Sequence, residues 1–213
     1  MEIYTTEEQQ VEAIKKWWKD NGNFVIVGVI VGLVAVFGWR FYQDGQISAK
    51  ETASDGYQAL QTTIDAKGYE AAPELQAFID GNKGNNYSLM AALQLAKLSV
   101  DNDKLAEAEA QFSYVIANAK ADNPLYPVAV MRLARLQLSQ QELDAAITTL
   151  ESNKLDAAFT AAVEELKGDV YVAQGVVEKA RVAYQAAVDA GGFEVNEQLQ
   201  SKINQLAVIE AAE

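Results

Sequence analysis

One uninterrupted apolar run, FVIVGVIVGLVAVFGW from Phe24 to Trp39, constrains this chain more than any other feature, because the roughly 170 residues after it hold no second run of the kind. A single such segment points to one tethered domain and not to a channel. With Phe41 and Tyr42 beyond Arg40 the stretch reaches 19 residues, about 28 Å as a helix at ~1.5 Å per residue, against a hydrocarbon core of ~30 Å. Trp17 and Trp18 before it, and Trp39, Phe41 and Tyr42 at its end, are amphipathic rings of the sort that settle among lipid headgroups. A cleaved signal peptide would also place one apolar stretch near an N-terminus. Against it, the preceding segment carries Glu2, Glu7, Glu8 and Glu12, and the bulky WRFY follows where a signal peptidase needs small residues. A buried core helix would need more apolar surface downstream than the chain offers.

Lys15, Lys16 and Lys19 precede the run, while Arg40 and the more distant Lys50 follow it. Positive residues favour the cytoplasmic side, so the expected arrangement is a cytoplasmic tail over 1–22, a membrane helix over 23–42 and the remainder across the membrane. In a bacterium that compartment is the periplasm. Within the span, Gly28 and Gly32 form a GxxxG that Ala35 and Gly38 extend into a stripe of small residues. Such a stripe lets a second helix approach closely, although glycine is common in membrane helices without any such contact.

The chain has neither cysteine nor histidine. Disulfides, thiolates, imidazole bases and the usual soft metal ligands are therefore missing, and no cofactor or metal site is expected. The formal net charge is −13, and removing the five acids and four cations of residues 1–42 leaves −12 on the rest. A surface of that sign repels nucleic acid and anionic lipid. Ser48, Ser54, Ser88 and Ser139 lack a base and sit in neither GxSxG nor SxxK. Asp80, Asn82 and Gly84 imitate the start of a calcium loop, but Ala91 stands where its bidentate glutamate belongs. An enzyme is not expected.

Beyond the span the chain is rich in Ala, Leu, Gln, Glu and Lys, with only three prolines, Pro73, Pro124 and Pro127. Apolar residues recur at three- and four-residue spacing, as in Leu89, Ala92, Leu93 and Ala96, or Leu105, Ala108, Phe112 and Val115, with no sustained alternation. Turn residues separate these windows at 80–86, 101–103 and 122–124. The pattern predicts short paired helices of an all-α domain.

The pairs repeat. From Gly168, Tyr171, Ala180, Tyr184 and Ala187 follow at 3, 12, 16 and 19 residues; from Ala134, Ala146 and Leu150 follow at 12 and 16; from Ala96, Ala108, Phe112 and Val115 follow at 12, 16 and 19. The origins lie 38 and 34 residues apart, about the ~34-residue period of the tetratricopeptide repeat, which this order resembles. The expected fold is a single N-terminal transmembrane helix plus a tetratricopeptide-repeat-like α-solenoid. Three degenerate repeats occupy 87–192, linking helices and a possible diverged unit 43–86, and a capping helix and tail 193–213. The repeats depart from the pattern at Ser99 and Gln137, which stand where Tyr171 stands, and at Asn153 in place of a final small residue. Leu199, Ile203 and Leu206 give the closing helix, expected over Asn196–Val208, its apolar face.

In repeats of this type the first helix of each pair lines a concave groove. The corresponding positions are Met90, Leu93, Lys97 and Val100, then Met131, Arg135 and Leu138, then Glu165, Asp169 and Val172. Lys97 and Arg135 are equivalent, yet the asparagines of a carboxylate clamp are absent and acids take over in the third repeat. The Met and Leu content suits adaptable apolar contacts with a partner; the same side chains could equally pack between helices.

The opening MEIYTTEEQQVEAIKKWWKDNG, the apolar span with WRFY, the stretches Met90–Lys97, Met131–Leu138 and Leu166–Gly175, and KINQL at Lys202–Leu206 together resemble the YfgM family, ancillary subunits of the bacterial Sec translocon. That resemblance implies a single-pass inner-membrane protein with a periplasmic repeat domain. It also implies partners: the SecYEG translocon, the membrane-anchored periplasmic chaperone PpiD, and translocating or unfolded proteins. An adaptor without covalent chemistry, a direct holdase and an assembly factor for another envelope complex are the functions left open.

Overall fold

The computed structural model describes residues 7–192 and 197–210, which fall into two compact units, 1–52 and 53–213. Positions 1–6 of the expected tail, Asn196 at the expected start of the closing helix, and residues 211–213 lie outside the described residues. No strand occurs among the described residues.

The first unit is helical. Helix α1 (Glu7–Lys67) takes in the entire apolar run without a break. An 18-residue window within it has mean hydropathy 2.3, and none of that window is buried. Phe24 is 79% and Phe41 85% exposed, an arrangement that water penalises by roughly 2 kcal/mol per large apolar side chain and that lipid does not. By length and composition this is the one helix among the described residues able to cross a membrane. A Cβ added at Gly28, Gly32 or Gly38 would meet nothing within 4 Å, so the small-residue face is open.

The second unit is a series of antiparallel helix pairs. The end of α1 and α2 (Ala72–Gly81) come first, followed by α3 (Asn86–Asp101) with α4 (Leu105–Asn118), α5 (Leu125–Ser139) with α6 (Leu143–Ser152), and α7 (Thr160–Ala173) with α8 (Val177–Ala187). Helix α9 (Glu197–Glu210) closes the series. Local chemistry sets several starts. Asn85 caps α3 by accepting a hydrogen bond from the Tyr87 amide at 2.8 Å, Asn123 accepts from the Leu125 amide at 2.9 Å, and Pro73 sits in the first turn of α2. The helix that emerges from the apolar run continues through the linking region to Lys67.

The small residues that open the repeats are where each pair crosses. Ala96, Ala134, Ala108, Ala146 and Ala180 have no exposed surface, and Phe112, Leu150 and Tyr184 fill the space beside them. Gly168 is the tightest crossing: an added Cβ would overlap the Tyr184 ring, itself 3% exposed. The two degenerate positions bury polar groups in place of an aromatic. Ser99 Oγ donates to Glu107 of α4 at 3.1 Å, and Tyr69 also donates to that carboxylate. Gln137 accepts from Thr149 of α6 at 2.7 Å and donates to Glu109 of α4 at 3.3 Å. Hydrogen bonding thus replaces packing where Tyr171 stands in the last repeat.

The turns inside the three pairs share one geometry. Asp103, Gln141 and Gly175, each seven residues after its repeat origin, have φ of 56°, 63° and 73°. The next amide in each turn bonds back across it: Lys104 to the Ser99 carbonyl at 2.8 Å, Glu142 to Gln137 at 2.8 Å and Val176 to Tyr171 at 2.9 Å. This is the left-handed closure that a Schellman ending requires.

Two stability predictions follow from these contacts. Gly168→Ala gains about 1 kcal/mol of helix propensity but forces the Tyr184 ring to move, at about 1–3 kcal/mol, so the urea midpoint of unfolding falls. Gln141→Gly removes the strain of a left-handed non-glycine residue and raises stability by about 1 kcal/mol in the same assay.

Candidate partner-binding groove

The first helices of the pairs, α3, α5 and α7, distribute the sequence-selected groove residues unevenly. Met90 and Val100 are 37% and 38% exposed, Lys97 and Arg135 are exposed, and Met131 is half-buried. Val172 is exposed. Leu93, at 8% exposure, belongs to the core that joins the end of α1 to α5. Leu138 is half-buried against Ala134, Leu150 and Leu166.

Asp169 and Glu165 are also committed internally. Lys202 of α9 reaches both carboxylates at 2.7 Å, and the Tyr184 hydroxyl donates to the second oxygen of Asp169 at 2.8 Å. The sequence spacing placed these acids in the groove; a lysine more than thirty residues later pairs with both. Burial opposes the charge on Lys202, but the hydrogen bonds and fields of Asp169 and Glu165 outweigh it and hold its pKa above the ordinary 10.5. Burial, with Asp169 accepting its proton, pushes the Tyr184 phenol far above its ordinary 10.0.

A cavity of about 370 Å³ opens between α3, α4 and α5. Val100, Phe112 and Leu136 supply its apolar surface, Lys97, Arg132 and Arg135 its cations, and Asp101 its one carboxylate. Three of these, Lys97, Val100 and Arg135, are among the residues selected from sequence. Arg132 and Phe112 were missed. Arg132 lies three residues before Arg135, which puts the two guanidinium groups on neighbouring positions of one helix face, and α5 carries no acid to pair with either. Among the described residues neither arginine has an ion pair. Lys97 is held by Asp101 of its own helix at 2.6 Å, both side chains being more than half exposed. A second cavity, about 300 Å³, lies between α7 and α8 beside Tyr171, Lys179 and Val182. Lys179 Nζ sits 5.4 Å above the Tyr171 ring.

This geometry is that of a tetratricopeptide repeat-like scaffold, joined in one chain to a helix long and apolar enough to span a bilayer. The tetratricopeptide repeat-like domain family matches residues 15–208. The ancillary SecYEG translocon subunit of Escherichia coli (strain K12) is 35% identical, covering 98% of this chain and 100% of that protein. The proteins of the same name from Aggregatibacter actinomycetemcomitans and Haemophilus influenzae are 32% and 29% identical, each covering 94% of this chain and 97% of the relative. The chain belongs to the family of ancillary SecYEG translocon subunits. Among solved structures, MamA 41-end from Desulfovibrio magneticus RS-1 superposes with TM-score 0.50 at 17% identity, over 76% of this chain and 96% of MamA. Its double mutant gives 0.52. At that identity the likeness concerns the fold alone.

The network around Asp169 sets an alkaline limit on stability. Lys202 and Tyr184 both hold their protons more tightly in the folded state. Their contribution is therefore complete below the unfolded values, near 10 to 10.5, and is withdrawn as pH rises toward the folded ones. Urea midpoints measured from pH 8 to 11 should be flat and then fall above about pH 10. Tyr184→Phe, which keeps the ring against Gly168, and Lys202→Met should each make that fall shallower.

Proposed function

We propose that this protein is an ancillary subunit of the SecYEG translocon, acting as an adaptor without covalent chemistry. Residues 23–42 anchor it in the bacterial inner membrane with the N-terminus in the cytoplasm, and its repeat domain faces the periplasm. There the groove links the channel to a periplasmic membrane-anchored chaperone of the PpiD kind, for handover of translocated proteins. The observation that carries this reading is the end-to-end likeness to the Escherichia coli protein of that name, 35% identity over 98% of the chain. The apolar helix and the repeats correspond to the two jobs, since one can dock within a bilayer and the other can hold a folded partner. The excess of lysine before the span supports the orientation.

The test is gentle detergent extraction of the tagged full-length protein, with photo-crosslinkers at Gly28 and Gly32 in the span and at Met90 and Val172 on the repeats. Translocon subunits are expected from the span positions and a membrane-anchored chaperone from the repeat positions. Crosslinks only to a spread of unrelated secreted proteins would make the chain a holdase, and an unrelated envelope complex would make it an assembly factor. A lysine placed on the small-residue face, as Gly32→Lys, should abolish the translocon crosslinks while the repeat domain retains its circular dichroism.

A further inference from the structure

The cavity between α3 and α5 is unlike the rest of the domain in charge. Residues 43–213 carry a net −12, yet three cations, Arg132, Arg135 and Lys97, converge here against one carboxylate, Asp101, which is paired with Lys97, and α5 contributes no acid. Two arginines held without carboxylate partners bring unused planar donor groups, and each guanidinium can grip a carboxylate with two parallel hydrogen bonds. Lys97 is tied only to the exposed Asp101, a pair that contributes little and is readily exchanged. Between the cations, Val100, 38% exposed, is the main apolar surface, and the core residues Phe112 and Leu136 show only their edges beneath it. A volume of about 370 Å³ lies in the range of ~300–1,000 Å³ usual for ligand pockets and is far larger than a bare anion needs.

We infer that this cavity binds a segment of a partner protein in which an apolar side chain is flanked by Glu or Asp: the side chain packs on the exposed Val100, above the core edges of Phe112 and Leu136, and its neighbours' carboxylates meet Arg132, Arg135 and Lys97. Charge complementarity selects that occupant. At physiological salt, charges more than ~8 Å away are largely screened, so the domain's net negative field does not prevent an acidic segment from reaching local cations. The inference rests on the adaptor reading, because it names the chemistry by which the groove recognises its partner.

The experiment uses the full-length protein in neutral detergent at 150 mM salt and three probes: a fluorescent peptide of alternating Glu and Leu, the same peptide with Gln for Glu, and vesicles of phosphatidylglycerol. Saturable binding of the acidic peptide is expected, with the Gln peptide weaker by about tenfold or more. Arg132→Gln with Arg135→Gln should lower acidic-peptide affinity by a similar factor while leaving the circular dichroism and urea midpoint unchanged. Lys179→Gln in the other cavity should have no effect. Equal binding of the two peptides, or undiminished binding by the double variant, would overturn the inference. So would arginine-dependent vesicle binding without peptide binding, which would make the cavity a headgroup site. Translocon crosslinks from Gly28 separate the two readings. If they persist while peptide binding fails, the cavity assignment alone falls; if peptide binding holds while they are absent, the adaptor reading alone falls.

Discussion

Everything in the repeat domain depends on how closely the two helices of a pair can cross. The backbones approach because Ala96, Ala134 and Gly168 on one side face Ala108, Ala146 and Ala180 on the other, and all are buried. That closeness creates space elsewhere, which Phe112, Leu150 and Tyr184 then occupy. A larger residue at the crossing would not merely crowd it. It would rotate the pair and misplace the next helix, since a solenoid transmits each local angle to its neighbours. The cavity between α3 and α5 inherits its position from two such crossings, because its walls are the outer faces of helices fixed by their inner ones.

Polar chemistry is distributed along the same axis. Toward the first repeat, buried Ser99 and Gln137 meet the carboxylates Glu107 and Glu109 of α4, which draws acid inward. Toward the last, Asp169 and Glu165 are consumed by Lys202. Between them, Arg132 and Arg135 stand on a helix that carries no acid. The cavity therefore carries an excess of cations that the composition of the whole domain conceals.

Much of this architecture was legible in the sequence for definite reasons. The apolar run stands alone, and the small residues at fixed offsets from Ala96, Ala134 and Gly168 report helix crossings that leave little choice of side chain. The shared left-handed turn was not legible, because Asp103, Gln141 and Gly175 are three residue types and only the glycine signals positive φ. Among the groove positions, helical spacing identifies which face a residue occupies and not how deep it sits. Leu93 is swallowed by the core for that reason. Asp169 was misleading as a free groove acid because its partner lies 33 residues downstream, beyond any local pattern, and Arg132 was overlooked because it sits one position off the stripe that spacing selects.

The closing helix has a bearing on how many copies of this protein can associate. Stacked repeats are open-ended by nature, and a terminal pair with a bare apolar flank would invite the first pair of another molecule to continue the series. Here Leu199 and Leu206 cover that flank, and Lys202 locks the cover to acids belonging to the last repeat. The apolar flank of the last pair is thus covered by the chain's own helix, and a second copy would have to displace α9 and break the Lys202 pairs before its repeats could continue the series there.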